Sequence, residues 1–207
     1  MNNRLANLVS IVFHPLLLAT YLFSAFILVD PMMLLHPGYR LKAQWLVVLL
    51  VWLTTFVVPA LSLVMLKFTG NISSLKLEKR KERFIPFFYT GLIYAFTAYY
   101  FAHQLKASNL AFGILVLITI LILAAAIITF FWKISVHSIG VGGVVGLLLV
   151  ISYMMQLGPV NYLLVAAILI SGLVISARLK LQVHTPSQVY VGYLLGLLVS
   201  FMIIYWL

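Results

Sequence analysis

The sequence predicts an all-α polytopic membrane protein, a bundle of about seven transmembrane helices, and three observations predict it. Of the 207 residues, 65% are hydrophobic and only 8% are charged, where a soluble domain has about a quarter charged. The apolar residues fall into runs close to the roughly 20 residues that a helix needs to cross a bilayer. The segments between the runs are too short to bury a second core, so residues 1–207 read as one integral-membrane domain.

The first span is expected over 8–29. Its apolar run is too long for the core of a cleaved leader and lacks a convincing small-residue cleavage site, so it reads as a true span. Asp30-Pro31 ends it, and His36-Pro37-Gly38 leads into the second span, 43–66. The basic stretch Lys67 to Arg83 separates that span from the third, 85–105, and Leu105-Lys106 precedes the fourth, 108–132. Lys133 precedes the fifth span, 138–156; Gly158-Pro159 precedes the sixth, 160–177; Arg178 to Pro186 precedes the seventh, 187–207. The alternative is six spans with an interfacial first segment. Trp45, Trp132 and Trp206 fall near span ends, where belt aromatics sit. Gly142 with Gly146, and Gly192 with Gly196, form two small-xxx-small pairs that allow close helix approach in lipid. They read as generic helix packing, or as the spacing that sets the distance between His137 and His184.

Charge follows topology. Arg4, Lys67, Lys76, Lys79, Arg80, Lys81, Arg83, Lys133, Arg178 and Lys180 fall on the side holding the N-terminus; Arg40, Lys42 and Lys106 fall on the other. This bias leans the first side toward the cytoplasm, and the expected location is a bacterial cytoplasmic membrane. Asp30, Glu78 and Glu82 are the only acids, too few for a magnesium or calcium cage, which wants several oxygen ligands. The absence of cysteine excludes disulfides, thiol catalysis and zinc–thiolate sites. No metal, no cofactor and no nucleic-acid partner is expected; membrane lipids are.

Three separated pieces carry chemistry: Lys76 to Arg83, Ser135 to His137, and Arg178 to His184, all expected at one membrane face. Arg83 and Arg178 suit planar, bidentate contact with phosphate oxygens, and Lys76 supplies a point charge. Ser135 can add a hydrogen bond. One imidazole can attack phosphorus and a second can protonate the departing oxygen. Both histidines fall at expected helix N-termini, whose free N–H groups favour an anion.

These residues resemble the type 2 phosphatidic acid phosphatase family, which shares its fold with vanadium haloperoxidases. The family pattern is Lys-x6-Arg-Pro, Pro-Ser-Gly-His and Ser-Arg-x5-His-x3-Asp. Here Lys76 and Arg83 keep the first spacing, with Phe84 in place of proline; Ile134-Ser135-Val136-His137 keeps serine and histidine; Ala177-Arg178, His184 and Gln188 keep the third spacing. The resemblance covers 76–188 and implies a six-helix core plus an N-terminal span. It implies a metal-independent lipid phosphatase in which His184 forms a phosphohistidine, His137 is the general acid, and Lys76, Arg83, Ser135 and Arg178 bind the phosphate.

Gln188 stands where the family has the aspartate that orients the nucleophilic histidine. It can accept the imidazole N–H but carries no charge, and loss of that charge in a catalytic triad can cost about 10⁴ in turnover. Thr185-Pro186-Ser187-Gln188 also matches a capping box, in which Gln188 would reach back to the Thr185 N–H instead. The alternative function is therefore a degenerate relative that binds a lipid phosphate without cleaving it. Ser135 also reads as an interfacial polar residue, and the basic run around Lys76 as a patch against anionic headgroups. His14, His36 and His103 read as loop histidines, and Glu78 and Glu82 as helical-spacing partners of Lys79, Arg80 or Lys81. A seven-helix photoreceptor or transporter is disfavoured, because 187–207 holds no lysine and no span centre holds an acid.

Overall fold

The computed structural model describes residues 1–35, 41–105, 107–156 and 158–206. His36, Pro37, Gly38, Arg40, Lys106 and residue 207 lie outside the described residues, as do the side chains of Lys42 and Trp206. Among the described residues every regular element is helical: α1 (Asn3–Val12), α2 (Pro15–Val29), α3 (Leu41–Trp52), α4 (Val58–Phe68), α5 (Phe84–His103), α6 (Asn109–Ile128), α7 (Val136–Met155), α8 (Gly158–Lys180) and α9 (Pro186–Ser200). Six of the described helices are long and apolar enough to cross a membrane, with α3 and α4 counting as one. The remaining pair, α1 and α2, is bent by 59°.

That bend corrects the expectation of one unbroken span over 8–29. Pro15 has no N–H to continue α1 and excludes helical geometry from the residue before it. His14 is accordingly extended (φ −66°, ψ 137°) and caps α2, its Nδ1 accepting the Leu16 N–H at 3.3 Å. Proline acts differently in the next span. Pro59 withholds a donor from the Thr55 carbonyl, and the helix widens to π geometry over Leu53–Val57. The Tyr94 hydroxyl, from α5, donates to that carbonyl at 2.9 Å, as a buried backbone oxygen requires.

The other helix ends have local causes. Ser108, Ser135 and Thr185 cap α6, α7 and α9 with their side-chain oxygens. Gln156 (φ 50°) ends α7 and Gln182 (φ 53°) follows α8, both left-handed. Phe23, Phe26, Phe101, Ile114, Leu115 and Ile151 are among the fully buried side chains. Leu8, Phe96, Tyr162, Leu169 and Leu198 are exposed on helix flanks, as lipid-facing positions would be. Buried Thr90 and Thr119 return their hydroxyls to the carbonyl four residues back, at 2.8 and 2.7 Å, so neither hydroxyl is left bare.

The most extensive pairing is α7 with α9, and glycine makes it possible. A Cβ at Gly146 would sit 2.5 Å from the Leu197 carbonyl oxygen, and one at Gly192 would sit 2.9 Å from that of Ser135. Cβ atoms at Gly142 and Gly196 would overlap the carbonyls of Tyr193 and Ile139. The small-xxx-small pairs thus face each other across this seam. The Ser135 N–H donates to the Gln188 carbonyl at 3.3 Å, tying the two N-termini together.

Candidate functional site

At this end of the bundle the loop 69–83 folds back over α6 and α7. Ile72 and Leu77 anchor it by burial, and the Arg80 guanidinium donates to the Phe130 carbonyl. Leu77 takes a left-handed conformation (φ 49°); buried Arg83 donates to its carbonyl through Nε at 2.8 Å and to that of Ile134 through Nη1 at 3.0 Å. Arg83 is therefore a clamp between the loop and the start of α7. Two of its five N–H donors are committed, and the others remain for a ligand.

Arg178 lies in the last turn of α8 rather than in a loop. Its Nε is buried without a hydrogen-bond partner among the described residues. The chain then reverses sharply: the Leu181 N–H donates to Ala177 at 3.0 Å and the Gln182 N–H to Leu179 at 3.1 Å. The left-handed Gln182 turns His184 and α9 back toward Arg178.

His184 is buried at the entrance to α9. Its Nδ1 lies 3.1 Å from Gln188 Oε1, and the same oxygen accepts the Thr185 N–H at 3.3 Å. The Gln188 N–H donates to Thr185 Oγ1 at 3.4 Å, completing the capping box. The two roles weighed for Gln188 are thus not exclusive, because one atom performs both. Burial first, then the charges of Arg83, Arg178 and Lys133, push the His184 pKa down to about 4, while the Gln188 hydrogen bond opposes them. The ring is neutral at physiological pH.

Ser135 is fully buried at the head of α7, and its hydroxyl accepts from Ser138 N at 3.4 Å and from Ser138 Oγ at 3.0 Å. His137 lies within the first turn of α7 and not ahead of it. Its Nε2 meets the Ser10 carbonyl oxygen at 3.0 Å. A carbonyl only accepts, so Nε2 carries the proton. Arg178, His14 and His184 are all within electrostatic reach of this ring.

Although Arg83 holds the carbonyl of the neighbouring Leu77, Lys76 does not line the cavity beside His184. It is exposed, and its ammonium makes no hydrogen bond or ion pair among the described residues. Lys133 comes instead: it lines the open cavity of about 560 Å³ beside His184 together with Gln182, Val183 and Gln188. Burial, Arg83 and Arg178 lower its pKa, with Glu78 opposing. His14 is the other residue that sequence reasoning set aside. Its ring meets that of His137 edge-on, centroids 5.3 Å apart; Pro15 within an apolar run was the signal that a helix end falls there. Glu82 pairs with Lys79 at 3.3 Å and accepts from Ser73, as an intraloop partner. Among the described residues no three His, Asp or Glu side chains are placed to hold a metal ion.

Two arginines and a lysine therefore surround a neutral histidine, and none of the three forms an ion pair with a carboxylate among the described residues. An assembly of this kind has the charge and the donors to hold an anion. Comparison with protein-family models, curated proteins and solved structures finds no match for this chain.

Proposed function

We propose that this end of the bundle is the active site of a metal-independent lipid phosphatase that hydrolyses a lipid phosphate or pyrophosphate, a relative of the type 2 phosphatidic acid phosphatases. The carrying observation is the cluster of Arg83, Arg178 and Lys133 around His184 without a paired carboxylate, at the end of an apolar helical bundle. A phosphate dianion supplies the missing negative charge, and the orphaned Arg178 Nε is a donor waiting for one of its oxygens.

The hydrogen bonds of His184 support its role as nucleophile. Gln188 holds the proton on Nδ1, which leaves Nε2 with its lone pair and no hydrogen-bond partner among the described residues. Nε2 attacks phosphorus, and the bond from phosphorus to the lipid oxygen breaks. His137, neutral at rest, takes up a proton from solvent as the phosphate dianion enters, gives it to that oxygen and is left neutral. Water then hydrolyses the phosphohistidine and releases phosphate. A lipid substrate suits the apolar bundle, where a cavity of about 70 Å³ between α2, α5, α6 and α7 is lined in part by Pro15 and Val136, the chain neighbours of His14 and His137. The charge bias favours a cytoplasmic face, in a bacterial cytoplasmic membrane.

A second reading, a lipid phosphate binder without turnover, is favoured by the neutral side chain at Gln188. The test is phosphate release by purified protein in detergent, with chelator, across lipid phosphates and pyrophosphates. The phosphatase predicts release that His184→Ala abolishes. Saturable binding that depends on Arg178, with no release, would select the binder, and release persisting in His184→Ala would remove the mechanism.

A further inference from the structure

His137 and His184 are equally buried, each 8% exposed, but different things cover them. His184 lines the open cavity. His137 is covered by the elbow between α1 and α2, with the Ser10 carbonyl on its Nε2 and the His14 ring against its own. A ring N–H given to a backbone carbonyl is not available to a substrate.

The covering helix is α1. It packs on α8 through a face of small residues, with Ala6 and Ser10 buried, while Leu5, Leu8 and Ile11 are exposed. Val9 and Phe13 add only partly buried contacts around Val174. The Ser10 hydroxyl is buried with no partner among the described residues, an unfavourable arrangement that opening would relieve by hydration. Between α1 and α2 lie only Phe13 and His14, where the chain already bends by 59°.

We propose that α1 is a gate over the proton donor of the site: in the closed form the Ser10 carbonyl occupies the position that the leaving oxygen of the substrate takes when α1 swings away about His14. The gate rests on the reading of His137 as general acid, and it explains how a buried imidazole can both be held in one tautomer at rest and reach an ester oxygen in turnover. Exchange of one acceptor for another keeps Nε2 hydrogen-bonded in either state.

Carbethoxylation of the full chain in detergent micelles, mapped histidine by histidine with diethyl pyrocarbonate, tests the gate without reference to catalysis. Ala6→Leu and Ser10→Leu each place bulk on the face of α1 buried against the bundle. In wild type, His184 should react and His137 should be protected. In each variant His137 should react about tenfold faster, the change expected from shifting an opening equilibrium by one order of magnitude, with His184 unchanged. Hydrogen exchange should show the α1 amides loosened in the same variants. His137 reacting as fast as His184 in wild type overturns the gate. So does His137 staying protected once α1 has loosened, and so does an α1 that keeps full protection with leucine at both positions, because such a helix is core. A chain that releases no phosphate yet shows the labelling shift would remove the phosphatase reading and keep the gate.

Discussion

Gln188 Oε1 stands 3.1 Å from His184 Nδ1 and 3.3 Å from the Thr185 amide nitrogen, so one oxygen both caps α9 and fixes the imidazole tautomer. Because the amide nitrogen of Thr185 can only donate, the oxygen assignment is secure, and His184 must donate to it in turn. This pairing identifies glutamate, rather than the shorter aspartate, as the substitution that adds charge without losing reach. Gln188→Glu keeps the capping box, which accepts either residue at this position, and places a carboxylate against the ring. Phosphate release by Gln188→Glu should exceed that of wild type, by up to the about 10⁴ that a carboxylate contributes in a triad. Gln188→Leu should lower it and also cost about 1 kcal/mol of stability through the lost cap. An unchanged rate in Gln188→Glu would mean that charge on His184 does not limit turnover.

The two arginines should separate by experiment. Arg83 holds two backbone carbonyls, Leu77 and Ile134, whereas Arg178 has a buried Nε that holds nothing. Arg83→Ala should lower the unfolding midpoint in detergent, since each buried carbonyl left bare costs about 1–3 kcal/mol. Arg178→Lys should leave that midpoint in place and weaken lipid phosphate binding about tenfold, by replacing a planar fork with a point charge. Equal loss of stability in both variants would show that Arg178 is structural.

Lysine placement gives a third prediction. Lys133 lines the cavity beside His184, and Lys76 is exposed, its ammonium without a hydrogen bond or ion pair among the described residues. Lys133→Ala should reduce phosphate affinity and flatten its dependence on salt, whereas Lys76→Ala should alter neither. The opposite result would assign Lys76 to the ligand and require the loop to close on it.

Much of this architecture was legible because hydrophobic runs and helix caps are local. The Thr185-Pro186-Ser187-Gln188 capping box and the glycine pairs of α7 and α9 read directly from the sequence. Lys133 did not, because spacing motifs say nothing of a residue between two helices whose distance is set by tertiary packing. The bend at His14 was missed because composition over 8–29 stayed apolar through Pro15, and hydropathy does not register a lost N–H. His14 then read as a loop residue, although the bend is what carries it to His137.

The seam between α7 and α9 makes a sharp structural prediction. A methyl group at Gly146 would meet the Leu197 carbonyl at 2.5 Å, and one at Gly196 would overlap backbone of α7. Gly146→Ala and Gly196→Ala should therefore push the helices apart, separate Ser135 from Gln188, and lose both stability and phosphate release. Gly172, on the exposed flank of α8, has nothing within 4 Å of a built Cβ. Gly172→Ala should be neutral or slightly stabilising, because alanine is the better helix former. Thermal midpoints in detergent for the three variants would check the contrast.

The electrostatics of His184 set a pH window. Burial, with Arg83, Arg178 and Lys133 adding to it, takes its pKa from 6.5 to about 4. Between those values the unfolded chain binds a proton that the native chain does not. Stability should therefore rise with pH through this window, reach its full His184 contribution above pH 6.5, and fall away as pH drops toward 4. His184 should stay neutral down to about pH 4, so a ring carbon NMR titration of it should show its midpoint there and not near 6.5. In Gln188→Glu the new carboxylate favours the charged ring, and the midpoint should move upward. In Lys133→Ala it should also move upward, since one of the depressing charges is gone. A wild-type midpoint near 6.5 would mean that water and counter-ions reach His184 freely, and the cationic cluster would then lose its claim to a desolvated phosphate site.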